Sequence, residues 1–190
     1  MIEQFPAIHH LAPPNGVTRI AIERFSPYFN RPELGFGNLQ PAAHYAVIYD
    51  LPESELRDLA YVFDAAHQGI STMQAERLGK AVDTWRHEFP QGRLTQCDLT
   101  DSIVLTNTRP GFDWRTLRIE EPWEVAAFRL LEQPCTSAVL LNKLRAGNHN
   151  IAAEDVAALL SRWRTRGLLL EDGGQTVHVV PHAANQDLMR

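Results

Sequence analysis

The chain has 190 residues, a length that fits one or two small domains. Hydrophobic residues make up 44% and charged residues 22%, as in ordinary globular domains, and the net charge of −5 lacks the basic surplus of nucleic-acid-binding proteins. Cys97 and Cys135 are too far apart for a CxxC redox or zinc motif, no apolar run reaches membrane-spanning length, and no secretory signal is present. We therefore expect a cytoplasmic protein that does not associate with nucleic acid or membrane.

The N-terminal region is rich in proline, with seven of the 12 prolines in the first 52 residues. Proline fixes φ and removes a backbone donor, so short extended pieces and turns are expected here. Residues 18–24 alternate at period two, with Ile20 and Ile22 on one face, and predict a half-buried strand. Residues 43–49 are rich in β-forming side chains and predict a second strand.

Two helices and three strands are predicted next. An apolar stripe from Leu56 to Ala66 follows Pro52, and a second helical pattern runs from Gly69 to Pro90. Residues 93–99, 102–108 and 114–119 are punctuated by turn residues and predict a three-stranded antiparallel meander.

The pattern changes at Pro122, which opens a helix. A second helix is capped by Thr136 or Ser137, a third covers residues 152–166, and two strands flank Gly173-Gly174. Three helices followed by a β-hairpin are the layout of a winged helix. We predict an α+β chain: an N-terminal partner-docking domain of helices and antiparallel strands over 1–121, and a C-terminal winged-helix-like domain over 122–190.

A winged helix can bind DNA or an extended peptide. Residues 122–190 carry seven basic and seven acidic side chains, which gives no surplus against phosphates, and Arg162, Arg164 and Arg166 alternate around the third helix. A peptide can instead add to the edge of the wing as another strand. A stand-alone DNA-binding regulator or adaptor remains the alternative.

The peptide hypothesis places a groove between the third helix and the last strand. Its candidate lining residues are Leu160 and Arg164 on the helix and His178 and Val180 on the strand. Residues of these types at these places are also common in a core or on a solvated surface.

Catalytic motifs are missing from the sequence. None of the eight histidines belongs to an HExxH pair, and Gly35-Phe36-Gly37 lacks the strand, third glycine and helix of a dinucleotide loop. An enzyme using His44 or His67 with a bound metal is the least favoured hypothesis. We expect this chain alone to have no catalytic residues, no metal and no cofactor.

One irregular segment carries three aromatic side chains, Phe25, Tyr28 and Phe29, between Arg24 and Arg31. Aromatic residues and arginine are enriched at the centres of interfaces. The same aromatics could equally fill one end of a core, so both interpretations stay open.

This segment also carries a resemblance to a known group. The runs PPNGVTRI (13–20) and ERFSPYF (23–29), the stretch 49–64, Asn107-Thr108-Arg109-Pro110 and the terminal pattern resemble the C-terminal region of cobalamin-dependent radical-SAM proteins that mature ribosomal peptides (RiPPs). A chain of this length without the radical-SAM modules is similar to the MbnC family of methanobactin-biosynthesis proteins. Arg109 of the fourth run joins the five residues above as a sixth candidate for a partner interface.

The resemblance implies a non-catalytic subunit. Members of this family pair with an MbnB-like TIM-barrel enzyme, whose iron site uses O2 to convert cysteines of a precursor peptide into oxazolone–thioamide groups of a copper chelator. The expected partners are thus that enzyme, in a heterodimer, and the precursor peptide, whose leader the winged-helix, RiPP-recognition-like module would hold. Iron and its ligands are expected in the partner.

Overall fold

The structure, a computed structural model, describes residues 2–66 and 69–183. The chain is α+β, as predicted, with short helices and small antiparallel sheets. It divides into two compact units, a larger unit of residues 1–16 and 78–190 and a smaller unit of residues 17–77.

This division does not coincide with the boundary drawn at residue 121. Leu94, Ile103 and Leu105 of the meander belong to the same buried cluster as Phe128 and Trp163 of the C-terminal helices. Because apolar side chains from both sides of residue 121 pack in one core, the meander and the helices form one compact unit.

The smaller unit is built on a three-stranded antiparallel sheet with β3 in the centre. Its strands are β1 (Ile22–Glu23), β2 (Gln40–Pro41) and β3 (Val62–Asp64), and its helices are α2 (Pro27–Asn30), α3 (His44–Ile48) and α4 (Glu53–Leu59). Phe63 of β3 lies opposite Ile22 on one side and Pro41 on the other. Phe63 and Ile22 form a small core with Leu39 and Ala60.

Three predictions for this unit are wrong. The strand expected over 18–24 is reduced to Ile22–Glu23, and Ile20 is exposed while Ile22 is buried. The strand expected over 43–49 is the helix α3, because both edges of β3 are already paired with β1 and β2. The helix after Pro52 ends at Leu59, since Ala60 turns to extended backbone and Phe63 is used in the sheet.

The larger unit contains the predicted meander. A 3₁₀ turn (Ile2–Gln4) leads into α1 (Phe5–Ile8), and the unit boundary falls within α5 (Thr72–Glu88), near the predicted position of that helix. The antiparallel strands follow in the order β4 (Leu94–Asp98), β5 (Ile103–Asn107) and β6 (Thr116–Ile119).

The predicted C-terminal elements are α6 (Pro122–Leu130), α7 (Ser137–Ala146), α8 (Ala153–Thr165), β7 (Leu169–Asp172) and β8 (Gln175–His178). The hydroxyl of Thr136 accepts the amide proton of Val139 and caps α7. Gly173 and Gly174 both have positive φ, as the tight turn between β7 and β8 requires.

Candidate functional site

A groove of about 820 Å³ runs along α8 and the hairpin, within the larger unit. We call it the α8–β7 groove. Its lining includes Phe5, Ile8, Ala157, Leu160, Arg164 and Leu170. An apolar wall beside a strand is a suitable surface for every second side chain of an extended peptide.

An exposed ion pair crosses one wall of this groove. Arg164 donates from Nε to a carboxylate oxygen of Glu171 at 3.1 Å and from Nη2 to the other oxygen. Both side chains are partly open to solvent, so the pair contributes little to stability. A charged group of a ligand would have to compete with this pairing.

The backbone edges of the hairpin are used differently on its two sides. On the outer side of β8, Cys135 and Thr176 exchange both backbone hydrogen bonds, at 3.1 and 2.9 Å, and the amide of His178 donates to the carbonyl of Leu131. The spatial order is thus Cys135, β8, β7, with β7 at the rim. The predicted peptide edge, that of Thr176 to Val180, is occupied by this chain.

Gln4 lies at the rim of β7. The Nε2 of Gln4 donates to the carbonyl oxygen of Glu171 at 2.9 Å, and the backbone amide of Glu171 donates to the Oε1 of Gln4 at 2.8 Å. One side-chain amide therefore satisfies both backbone groups of a strand residue.

Two of the four predicted groove residues line the groove, and two do not. Leu160 and Arg164 do so. The ring of His178 is 9% exposed and stacks on Phe128 at 4.3 Å, and burial lowers its pKa to about 4. Val180 is 3% exposed and belongs to the core. Both side chains therefore face the core of the larger unit and not the groove.

The aromatic segment of the smaller unit is partly internal. Arg24 donates to the carbonyls of Ala60, at 2.8 Å, and Arg57, and its guanidinium lies over the rings of Phe29 and Phe63. Two of the predicted interface residues, Arg24 and Phe29, therefore hold the smaller unit together.

The other residues of this segment face outward. Phe25 is 73% exposed at φ 68°, a left-handed conformation that is unfavourable for a bulky residue, and its carbonyl accepts from Asn30. Tyr28 is exposed and its ring makes an edge-to-face contact with Phe36, and Arg31 is exposed. An exposed aromatic side chain on a strained backbone is typical of a functional surface.

Exposed apolar side chains are concentrated in the smaller unit. Within the described residues, the large hydrophobic side chains that are exposed outside it are Leu99 and Val139. Inside it they are Val17, Ile20, Phe25, Tyr28, Leu34, Val47, Ile48, Tyr49, Leu51, Leu59, Tyr61, Ile70 and Met73. Val17, Ile20, Leu34 and Ile70 border a cavity of about 600 Å³. Val47, which is 86% exposed, begins a run that continues through Ile48 and Tyr49.

Arg109, the sixth predicted interface residue, is fully buried in the larger unit and is not available as a surface contact. Its guanidinium donates to Asn107 Oδ1 at 2.8 Å and to the carbonyls of Ala7 and Gly167, and it lies 4.3 Å from the Phe112 ring. Burial lowers the pKa of Arg109 to about 9. The residue joins the N-terminal segment to the end of α8.

The arginines of α8 are largely engaged with carboxylates. Arg162 binds Glu124 at 2.6 Å and Arg164 binds Glu171. Phosphate binding at this helix would have to compete with these acidic groups.

Over residues 2–66 and 69–183, no three His, Cys, Asp or Glu side chains are grouped to hold a metal ion. His44 is exposed, and His67 lies outside the described residues. Cys97 is exposed and Cys135 is buried, where desolvation raises the pKa of its thiol.

In the same part of the chain, no helix has both the length and the apolar character needed to cross a membrane. Comparison with protein-family models, curated proteins and solved structures finds no match to this chain.

Proposed function

We propose that this chain is the peptide-binding, non-catalytic subunit of a RiPP-maturation complex of the methanobactin type. The α8–β7 groove would hold the leader of a precursor peptide. An MbnB-like TIM-barrel iron enzyme would dock on the smaller unit and carry out the O2-dependent conversion of cysteine to oxazolone–thioamide. The observation that carries the proposal is an apolar groove beside a strand at the rim of its sheet.

The order of elements supports a winged-helix assignment for residues 122–183. α6 is followed by the bridge residue Cys135, then by α7, α8 and the hairpin, and Cys135 pairs with β8 so that β7 stays at the rim. In such an arrangement an added strand would extend the sheet beyond β7. Leu160 and Leu170 would then meet alternate side chains of the peptide.

The charges favour a peptide over DNA. Arg162 and Arg164 bind Glu124 and Glu171, and residues 122–190 have no net positive charge. Peptide addition depends on backbone hydrogen bonds and apolar contacts, so it needs no basic surface.

The smaller unit supports the second part of the proposal. Soluble monomers rarely expose large contiguous apolar patches, and exposed aromatics serve as anchors in interfaces. Val47, Ile48 and Tyr49 are consecutive and exposed. Phe25 is also exposed, and its backbone carbonyl accepts a hydrogen bond from the side chain of Asn30. We expect these side chains to be covered by the barrel enzyme.

Peptide binding can be tested with a labelled copy of any short cysteine-containing peptide found to be encoded beside this gene; the absence of such a reading frame would itself count against the proposal. Ala157 and Ala158 are both exposed on α8, but Ala157 lines the groove and Ala158 is not among its lining residues. Ala157→Tyr should fill the groove and weaken binding at least tenfold, as measured by fluorescence anisotropy, while Ala158→Tyr should leave it unchanged. Equal binding by both variants would refute the groove assignment.

Partner docking can be tested by co-expression with any TIM-barrel enzyme found to be encoded beside this gene, followed by size-exclusion chromatography. Val47 and Val139 are both exposed, one in each unit. Val47→Glu should separate the complex, because it would bury a charge in an apolar contact, whereas Val139→Glu should elute with the partner. Separate elution of the two wild-type proteins, with full activity of the barrel enzyme alone, would overturn this part of the proposal.

A further inference from the structure

Gln4 binds Glu171 in the way that a neighbouring strand would. In an antiparallel ladder, two paired residues exchange an amide donor and a carbonyl acceptor. The Gln4 side chain offers the same pair of groups, Nε2 and Oε1, at 2.9 and 2.8 Å from the backbone of Glu171. An added peptide would need the backbone groups of Glu171 that Gln4 now holds.

The segment that carries Gln4 is anchored independently of this contact. Phe5 packs on Trp85 with ring centroids 5.4 Å apart, the carbonyl of Ala7 accepts from Arg109, and His10 Nε2 lies 2.7 Å from the carbonyl oxygen of Val179. Ala7, His9 and His10 are buried. Gln4 itself is partly exposed, so its side chain can turn away while the backbone of the segment stays in place.

We infer that the Gln4 side chain is an internal stand-in for the peptide, which a bound leader replaces at Glu171. The inference rests on the proposed function. Gln4 would then control the affinity for the peptide, because the peptide and the Gln4 side chain compete for the amide and the carbonyl of Glu171. The apparent affinity for the peptide falls as the fraction of molecules in which Gln4 is bound to Glu171 rises. Phe5 and Ile8 stay as part of the apolar wall.

Removal of the competitor should tighten binding. Gln4→Ala removes two hydrogen bonds that the peptide must otherwise break. Each of them contributes modestly to the stability of the state in which Gln4 is bound to Glu171. We expect the labelled neighbouring-gene peptide to bind Gln4→Ala about tenfold more tightly than wild type. Gln133→Ala is the matched control, because Gln133 is exposed and is not among the groove residues.

A second readout follows Gln4 in the wild-type chain. Its side-chain amide should give an NMR signal that is shifted while it holds Glu171 and moves to the free position when peptide is added. In Gln4→Ala without peptide, the Glu171 amide should exchange with solvent faster. Size-exclusion chromatography of this variant checks that the bared edge has not paired between copies.

The outcomes separate the two proposals. Tighter binding by Gln4→Ala, together with release of the Gln4 signal, supports displacement. Unchanged or weaker binding by Gln4→Ala, with measurable binding by wild type, overturns displacement and leaves peptide binding standing. No binding by either chain refutes the peptide-binding proposal, and the displacement with it.

Discussion

The larger and smaller units place their apolar side chains in opposite ways. In the larger unit, leucine, isoleucine and aromatic side chains from β4, β5 and α6–α8 form one continuous core that includes Phe128 and Trp163. In the smaller unit the clustered core is limited to Ile22, Leu39, Ala60 and Phe63, while most exposed apolar side chains of the described chain lie on its surface.

Side-chain hydrogen bonds to the backbone also help to hold the smaller unit together. Arg24 and Arg57 donate to backbone carbonyls, and the hydroxyl of Tyr45 accepts from the amides of Tyr61 and Val62. Such bonds hold a loop-rich unit in shape without withdrawing its apolar residues from the surface. This distribution of apolar side chains is what we expect if a partner covers the smaller unit, as proposed.

The aromatic residues allow the units to be followed separately. All four tryptophans lie in the larger unit and all four tyrosines in the smaller one. Tryptophan fluorescence and the near-ultraviolet signal of tyrosine therefore report on different units in one unfolding experiment.

The largest effect is expected from a buried arginine. Arg109→Ala would leave the carbonyls of Ala7 and Gly167 without their donor inside the larger unit, and should cost about 4 kcal/mol of unfolding free energy. Arg24→Ala, in the smaller unit, should cost about 1 kcal/mol because its site is partly exposed to water. Urea unfolding followed by tryptophan fluorescence measures the first loss. Equal losses would contradict the contrast between the units.

Acid should unfold the larger unit. Burial lowers the pKa of His10 and of His178 to about 4, with Arg109 adding to the effect on His10 and His182 to that on His178. The unfolded chain thus binds more protons between pH 6.5 and 4, so stability present above pH 6.5 is lost as pH falls through this window, by about 2 kcal/mol per histidine at pH 5.

The variant His178→Phe tests this prediction. A phenyl ring preserves the stack on Phe128 and removes the titrating group, so the loss of stability between pH 7 and 5 should be about half that of wild type. Tryptophan fluorescence at graded urea and pH gives the two curves. An unchanged pH dependence in the variant would contradict the assignment to His178.

Matched truncations compare the two cores. Leu144→Ala in the larger unit should cost about 3 kcal/mol, because Leu144 is only 1% exposed within the large buried cluster. Leu39→Ala in the smaller unit should cost about 2 kcal/mol, since the small core can close more easily over the space. Denaturation followed separately by tryptophan and tyrosine signals measures both. A greater loss for Leu39→Ala would reverse the ranking of the cores.

The smallest effect concerns Phe25. The free energy of unfolding of Phe25→Gly should be about 1 kcal/mol larger than that of Phe25→Ala, because glycine adopts the positive φ without strain. Both variants lack the exposed ring and should weaken docking of the proposed barrel-enzyme partner to the same extent. Thermal unfolding and size-exclusion chromatography provide the two measurements, and restored docking in Phe25→Gly would show that the ring is not a contact.

The elements of the larger unit could be predicted from the sequence because local residues determine where they begin and end. Pro122 begins α6, Thr136 caps α7, and Gly173-Gly174 fixes the hairpin. In the smaller unit the β-forming composition of residues 43–49 is overridden, since the central strand has no free edge for them and Tyr45 is bound to the amides before and within β3.

The groove was only half predictable for a similar reason. Leu160 and Arg164 follow from their place on α8, but Gln4 meets Glu171 across 167 residues, and no local pattern indicates this contact. His178 and Val180 were misplaced because the alternation of a strand does not tell which face is covered by Phe128.

The order of synthesis gives the Gln4 contact another consequence. A ribosome makes Gln4 long before Glu171, and at about 5–20 residues per second the interval is on the order of ten seconds or more. When β7 finally forms, the side chain that shields its rim is already attached to the same chain at high effective concentration. We therefore expect Gln4 to shield this strand edge as soon as the edge forms, and so to disfavour pairing between neighbouring chains on a polysome.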